Sequence, residues 1–252
     1  MLHFDKPVFG PIFSRRLGSS LGVNVLPSAG KLCNFDCIYC ECGWNRDGRR
    51  SGIFPRTEDV RSALEAKLTE CAAEGTRIDS ITFSGNGEPT LNPDFPALVD
   101  AAVEARDRFF PSAKISVLSN ATTVGRKEIF EALRKVDNPI MKIDAPTEEG
   151  VRILNRPCGN YSLEETLCAL ERFEGDFILQ TMFLKCPEYD SSEEHGLGAW
   201  LDIVRRLRPR ETMVYTIDRE TPQKNLQKFS AEEMRMFTDV LVNEGFMVQV
   251  RG

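Results

Sequence analysis

Short runs of β-branched, aromatic and other apolar residues alternate along the chain with longer stretches in which apolar residues recur every three or four positions. The first pattern predicts strands and the second amphipathic helices. The strand runs are 21–26 (LGVNVL), 78–84 (IDSITFS), 114–119 (KISVLS), 139–144 (PIMKID), 177–184 (FILQTMFL) and 212–217 (TMVYTI), with a short run at 246–250 (FMVQV) that could close the chain. Helix starts are expected at Thr57, at Pro93 as a first-turn residue, and at Ser162 and Ser230 as N-caps. Ser162 with Glu165 and Ser230 with Glu233 each fit a capping box, in which two side chains satisfy free amides reciprocally. Strand and helix in regular alternation predict an α/β protein with a parallel sheet or barrel.

Side chains alternate faces along a strand, so one set must point to the inside of such a barrel. In 78–84 that set could be Ser80, Thr82 and Ser84, opposite Ile81 and Phe83; in 139–144 Lys142 and Asp144 share a face; in 212–217 Thr216 leads on to Asp218. A closed barrel fills its interior with branched apolar residues. Polar positions on several strands predict instead a hydrated, ligand-holding interior, as in an open barrel of about six strands. The alternative is that they are buried polar groups bonded among themselves or to backbone.

With 252 residues, no internal repeat, no low-complexity tract and no Gly/Ser linker, the expectation is one domain over 1–252, its core at about 21–219 and a C-terminal helix and short strand over 220–252. Hydrophobic content of 41% and charged content of 28% suit a globular protein. No apolar run along the sequence reaches membrane length and the start, MLHFDKPVFG, lacks a signal-peptide pattern, so a cytoplasmic location without membrane association is expected. The net charge of −6 disfavours a broad nucleic-acid-binding surface. It is unevenly spread: residues 1–56 carry Lys6, Arg15, Arg16, Lys31, Arg46, Arg49, Arg50 and Arg56 against Asp5, Asp36, Glu41 and Asp47. That segment could receive an anionic group, or could be a solvated loop with incidental arginines.

Eight cysteines in a reducing compartment point to metal or redox chemistry rather than to disulfides. His3 and His195 are far apart and each lacks a companion at ligand spacing, so both are expected at the surface. The segment KLCNFDCIYCECGW places Cys33, Cys37 and Cys40 as C-x3-C-x2-C in a loop directly after the first expected strand. Three closely spaced thiolates can hold three corners of a [4Fe–4S] cubane and leave the fourth iron open. A tetrathiolate zinc site that adds Cys42 is the competing reading, although its C-x-C spacing is cramped. The strand 78–84 runs into Gly85-Asn86-Gly87-Glu88-Pro89, where two glycines allow close backbone approach and a carboxylate could accept from an ammonium group.

The cysteine motif, with aromatic Tyr39 before its last cysteine, resembles the hallmark of the radical S-adenosylmethionine superfamily. The resemblance implies an open six-stranded parallel (β/α)6 TIM-like barrel, its active site at the C-terminal ends of the strands. It implies a [4Fe–4S] cluster on Cys33, Cys37 and Cys40 and S-adenosylmethionine chelated at the open iron. It also implies reductive cleavage of S-adenosylmethionine to a 5′-deoxyadenosyl radical that abstracts hydrogen from the substrate, and an electron donor such as flavodoxin or ferredoxin. Gly85, Asn86, Gly87 and Glu88 resemble the motif that holds the methionyl amino group, with Asn86 in place of the usual glycine of the first pair. Ser119, Asn120, Lys142 and Asp144, and after them Gln180, fall where ribose and methionyl carboxylate contacts are expected. The structural alternative for each is a helix cap or an internally satisfied pair.

Cys71 and Cys168 read as core thiols of helices. Cys42, Cys158 and Cys186 fall in loops on the expected active face, where they could hold an auxiliary cluster, act as a hydrogen-atom donor or redox partner, or be unrelated. Cys186, Asp218 and Arg219 are the catalytic candidates. Arg15-Arg16 before the first strand and Asp218-Arg219 after the sixth resemble a compact subgroup grouped with the wyosine-type tRNA synthases. This chain lacks a cysteine before Cys33 and is acidic outside 1–56, so the resemblance carries the fold and cofactor chemistry, not the substrate. The leading reading is a radical enzyme acting on a small-molecule or nucleotide substrate, with an anionic one suited to the basic segment. The alternatives are an activase or modifier of a protein or peptide partner, a tRNA-modifying enzyme, and a non-catalytic metal-binding protein.

Overall fold

A computed structural model describes residues 2–47 and 52–252. Arg49 and Arg50, counted in the basic segment, lie outside the described residues. The strands are β1 (Val8–Ser14), β2 (Gly18–Val23), β3 (Ser80–Phe83), β4 (Lys114–Ser119), β5 (Asn138–Lys142), β6 (Ile178–Met182), β7 (Leu184–Cys186), β8 (Tyr189–Asp190), β9 (Glu211–Tyr215), β10 (Gln227–Lys228) and β11 (Val248–Arg251). The α-helices are α1 (Thr57–Ala73), α2 (Phe95–Phe109), α3 (Lys127–Leu133), α4 (Glu148–Leu154), α5 (Leu163–Glu171), α6 (Glu194–Leu207) and α7 (Ala231–Asn243).

The main sheet has the order β1-β2-β3-β4-β5-β6-β9-β11, and its neighbours are parallel from β2 onward. It curls into a half-barrel, an α/β fold of the open TIM-like kind. The six expected strands are β2, β3, β4, β5, β6 and β9, and the closing run is β11. Two features escaped the pattern. β1, antiparallel to β2, is interrupted by Gly10-Pro11, and its register shifts between Phe9 and Ile12. The run 177–184 does not continue as one strand: β6 ends at Met182, and from Leu184 the backbone pairs with β8 and β10 in a small second sheet.

Alternation divides the strands as expected. Leu21, Val23, Ile81, Phe83, Ile115 and Val117 pack outward into the core shared with Leu64, Leu68, Leu98 and Val99 of α1 and α2. Burial of each such side chain is worth roughly 1.5–3 kcal/mol. The inner face carries the polar set, but much of it satisfies itself: Ser80 Oγ contacts Thr82 Oγ1 (3.0 Å) and Ser116 Oγ (2.9 Å), and Ser20 Oγ contacts Thr82 Oγ1 (2.8 Å). Above this ladder Ile140, Ile178 and Met213 fill the interior with Leu17. On β9 Met213 and Tyr215 share the inner face; Thr216, just past the strand, also borders the cleft, although its hydroxyl donates to Phe183 O (2.8 Å).

The tip of the β1–β2 hairpin closes the open side of the half-barrel. Leu17 enters the interior, Arg15 Nη1 donates to Gly252 O (2.5 Å), and Arg15 pairs with Asp218 (3.0 Å). Helix ends follow local chemistry. Ser230 and Glu233 form the full capping box, whereas Ser162 Oγ accepts from Glu165 N (3.2 Å) without the return bond. α1 starts at Thr57 as expected, whereas Pro93 lies in the turn before α2, whose early proline is Pro96. Cys71 is buried, but Cys168 is exposed: it falls on the solvent side of α5 beside Glu164 and Arg206. His3 and His195 are exposed.

Candidate active site

The cysteine loop is held on two sides by backbone. Leu32 bridges Gly87 in parallel fashion, with Leu32 N donating to Asn86 O (2.7 Å) and Glu88 N to Leu32 O (3.1 Å). On the other side Phe35 bridges Pro157, Ile38 N donates to Leu154 O (2.9 Å) and Cys158 N to Asn34 O (2.8 Å). Beneath the loop Phe35, Ile38 and Tyr39 are buried against Val151, Leu154, Met182 and Leu184. With the apolar residues of the motif anchoring it below, Cys33, Cys37 and Cys40 line a cleft of about 550 Å³ above the C-terminal strand ends.

The electrostatics of the loop centre on Lys31, whose side chain is 2% exposed and donates to Gly43 O (3.0 Å) and Asp36 Oδ1 (3.2 Å). Burial works against its ammonium, yet the Cys40, Cys33 and Cys37 sulfurs and Asp36 hold its pKa above the usual lysine value. The hydrogen bond from Cys42, against the cost of burial and aided by Lys31, brings the Cys40 thiol down to about 6. Burial pushes the Cys37 thiol up to about 11 and raises that of Cys33. Asn120 Nδ2 and Asn155 Nδ2 point at the Cys33 and Cys37 sulfurs, at 3.7 and 3.4 Å. Among the described residues, no three His, Cys, Asp or Glu side chains gather closely enough to hold one metal ion.

The turn after β3 explains the loop's position. Gly87 has φ +130°, and a Cβ there would lie 1.9 Å from Leu32 O, so only glycine lets the two backbones pair. Asn86 faces away from the cleft: its side chain donates to Phe4 O (2.9 Å) and Pro27 O (3.1 Å) and accepts from Phe4 N (3.0 Å). Glu88 is buried and well satisfied. Its Oε1 accepts from Thr90 N (3.1 Å), Thr90 Oγ1 (2.6 Å) and Ser119 Oγ (2.9 Å), and its Oε2 accepts from Asn120 N (2.7 Å). Burial raises its carboxyl above the ordinary value despite these bonds.

Across the half-barrel a second buried network lies under the loop. Asp144 Oδ1 accepts from Met182 N (2.9 Å) and sits 3.3 Å from Lys142 Nζ; Oδ2 accepts from Asn155 Nδ2 (2.6 Å) and from the Tyr39 hydroxyl. Lys142 donates to the Tyr215 hydroxyl and lies 4.9 and 4.8 Å from the Tyr39 and Tyr215 ring centroids. Burial opposes its charge, but Asp144 and Tyr215 keep its pKa above the usual lysine value. Asp144 thus serves the network rather than the cleft surface.

Of the residues singled out from sequence, the three motif cysteines, Tyr39, Gly85, Gly87, Glu88, Ser119, Asn120, Lys142, Gln180, Asp218 and Arg219 share this one cleft. Asn86, Asp144 and Cys186 do not line it. Cys42 lines the cleft with its sulfur 3.3 Å from Gly85 O, Cys158 is exposed beside a separate cavity of about 210 Å³, and Cys186 is on β7, so the three are not brought together. Lys31, counted only as one cation of the basic segment, proves to be the charge beside the cysteines, while Asn155 and Tyr215 were passed over. Of these two, only Tyr215 carried a signal, its inward parity with Met213.

The family model of the radical SAM superfamily matches residues 28–178. A UPF0026 protein of Helicobacter pylori is 30% identical over 90% of this chain and 71% of its own length. The GTPase Obg of Brachyspira hyodysenteriae is 29% identical over 91% of this chain, which spans only 32% of that relative. Among solved structures, a radical SAM methyltransferase from Sphaerobacter thermophilus has a TM-score of 0.69 at 15% identity, covering 92% of this chain and 65% of that one. TYW1 with a lysine-pyruvate adduct bound has a TM-score of 0.63 at 14% identity, covering 90% and 75%. The structural likenesses establish the fold; the family model, extending over more than half of the sequence and through the cysteine loop, establishes kinship, and the chain belongs to the radical SAM superfamily.

Proposed function

We propose that the cleft is the reaction chamber of a radical enzyme in which Cys33, Cys37 and Cys40 hold a [4Fe–4S] cluster and the strand ends hold S-adenosylmethionine. The donor set fits. Cys33 and Cys37 are half-buried thiols whose ionisation is disfavoured until a cation joins them, and the iron of a cluster would supply that charge. Three cysteine sulfurs lining one cleft match three corners of a [4Fe–4S] cubane and leave its fourth iron open to a ligand. When bound, such a cluster would supply the one electron that breaks the sulfonium C–S bond, leaving methionine and a 5′-deoxyadenosyl radical.

The chain's own residues then have separable tasks. Gly85 and Gly87 bring backbone to the cleft wall. Glu88 holds the Ser119–Asn120 rim and retains acceptor capacity on Oε2 for the methionyl ammonium. Lys142, kept protonated, suits a carboxylate. Asp144 and Asn155 position Tyr39 and with it the loop. The substrate is a small molecule or nucleotide with an anionic group, and the electron donor is a flavodoxin or ferredoxin of the cytoplasm. Among the described residues no helix is long and apolar enough to cross a membrane. β11 pairs with β9, which supports 1–252 acting as one domain. Phe13, 82% exposed on β1 at the cleft rim, favours a protein or peptide partner as the second reading.

The single observation that carries the reading is that the motif cysteines, the glycine turn and the strand-end polar residues share one cleft. The test is anaerobic reconstitution with iron and sulfide, reduction, addition of S-adenosylmethionine and quantification of 5′-deoxyadenosine against Cys37→Ala. Deoxyadenosine formed only by the intact motif, with about four iron atoms per chain, is the expected result. Zinc in place of iron, or a cluster that yields no deoxyadenosine, would refute it.

A further inference from the structure

Arg16 and Gln180 stand out as donors without acceptors. Arg16 Nη1 and Gln180 Nε2 are buried and have no hydrogen-bond partner among the described residues. Buried polar groups are nearly always paired, and an orphan donor costs its full desolvation. Gln180 is 5% exposed and sits on β6 beside Lys142 of β5. Arg16 reaches in from the hairpin tip, its guanidinium carbon 4.6 Å from the centroid of Tyr215. Both line the cleft. The other cations of the cleft have carboxylate partners: Arg15 with Asp218 (3.0 Å), Lys31 with Asp36 (3.2 Å), Lys142 with Asp144 (3.3 Å) and Arg219 with Glu41 (2.5 Å). Arg16 is the unneutralised cation of the cleft among the described residues, while the unpaired carboxylate, Glu88, lies on the turn after β3 across the half-barrel.

We infer that Arg16 and Gln180 form a receptor for a carboxylate of the substrate, seated against Tyr215 on the wall facing the glycine turn. The inference rests on the reading of this cleft as the reaction chamber and names the substrate class that it takes. A guanidinium stacked on an aromatic ring presents its edge donors in the plane a carboxylate requires, and the neutral amide adds a further donor without adding charge. One unneutralised positive charge balances a monoanion, whereas a phosphate dianion would leave negative charge in a half-buried site.

The test is binding, with deoxyadenosine formation measured separately. Trifluoroacetate is the probe, followed by its ¹⁹F linewidth in the presence of the full chain at low ionic strength, with acetate and inorganic phosphate as competitors. The expected result is broadening that acetate reverses more effectively than phosphate. Arg16→Met weakens binding by about 30-fold, the size of a charge-assisted hydrogen-bonded pair. Gln180→Glu, the same shape with a repelling charge, weakens it at least about tenfold on the same basis. Arg16→Lys, which keeps the charge and loses the fork, also binds more weakly, so the conclusion does not depend on Arg16→Met folding well. Unchanged broadening in Arg16→Lys and Gln180→Glu would overturn the receptor, and phosphate competing better than acetate would overturn the carboxylate. Displacement of the probe by S-adenosylmethionine on the reconstituted protein would hand the site to the cofactor and overturn the substrate assignment. Probe binding without deoxyadenosine formation sinks the radical reading alone; deoxyadenosine formation without probe binding sinks this inference alone.

Discussion

The buried pair of Lys142 and Asp144 offers the sharpest test of what holds the cleft floor together. The side chains are 15% and 0% exposed with Nζ and Oδ1 3.3 Å apart, and at an effective dielectric of about 20 such a pair attracts by roughly 5 kcal/mol. Asp144→Asn keeps the shape and removes the charge. Each Asp144 oxygen faces two donors, Met182 N and Lys142 on one side and Tyr39 and Asn155 on the other, so the new amide NH₂ must oppose donors whichever way it turns. Breaking one partner of a buried pair costs about 3–5 kcal/mol. Lys142 keeps the Tyr215 hydroxyl and two aromatic faces, which places the loss near about 3 kcal/mol and the fall in Tm at roughly 6–12 °C. Urea unfolding of the cluster-free chain, carried out for Asp144→Asn, Lys142→Met and the double variant, isolates the pairwise part. The double variant should be more stable than the sum of the singles predicts by about 2 kcal/mol. A coupling below about 0.5 kcal/mol would refute the assignment of this pair as the electrostatic centre of the network.

Gly87→Ala should drive Cβ into Leu32 O, now 1.9 Å from the ideal position, and part the turn from the cysteine loop. The expected result is about 1–3 kcal/mol of destabilisation and iron retention well below that of the parent chain, by unfolding and metal analysis; normal values for both would mean that the backbone pairing does not hold the loop. Asp137 supplies a pH test. Burial raises its pKa, but the bonds from Ile115 N, Arg106 and Lys114 outweigh it and hold the carboxyl below its ordinary 3.8. Its stabilisation is therefore fully present above that value and is lost as pH falls through the lower folded one. Asp137→Asn should flatten the acid limb of stability against pH below about 4, and an unchanged limb would count against the pairing.

The misplaced residues show why a sequence pattern reaches only so far. Asn86 sits between two glycines and reads as part of a ligand-holding turn, but its amide is committed to Phe4 and Pro27, which lie 82 and 59 residues away in sequence. Tyr215, which the polar pattern did not single out, comes to the cleft through the register of β9 against β6. Cys168 and Cys71 occupy helices of ordinary composition, and helix rotation against the sheet exposes one and buries the other.

What the sequence by itself determined is local: the C-x3-C-x2-C loop, the glycine turn after β3, and the alternation that makes six parallel strands with an apolar outer face. Short-range sterics, side-chain period and ligand spacing suffice for these. Only the tertiary structure decided that Arg16 crosses the open side to meet Tyr215, that Glu88 spends most of its acceptors on Ser119, Asn120 and Thr90, and that Asp144 lies under the cleft while Lys142 and Gln180 line it. Curling of the sheet brings strands distant in sequence around one cavity, and which donors are then left without acceptors depends on all of their neighbours at once.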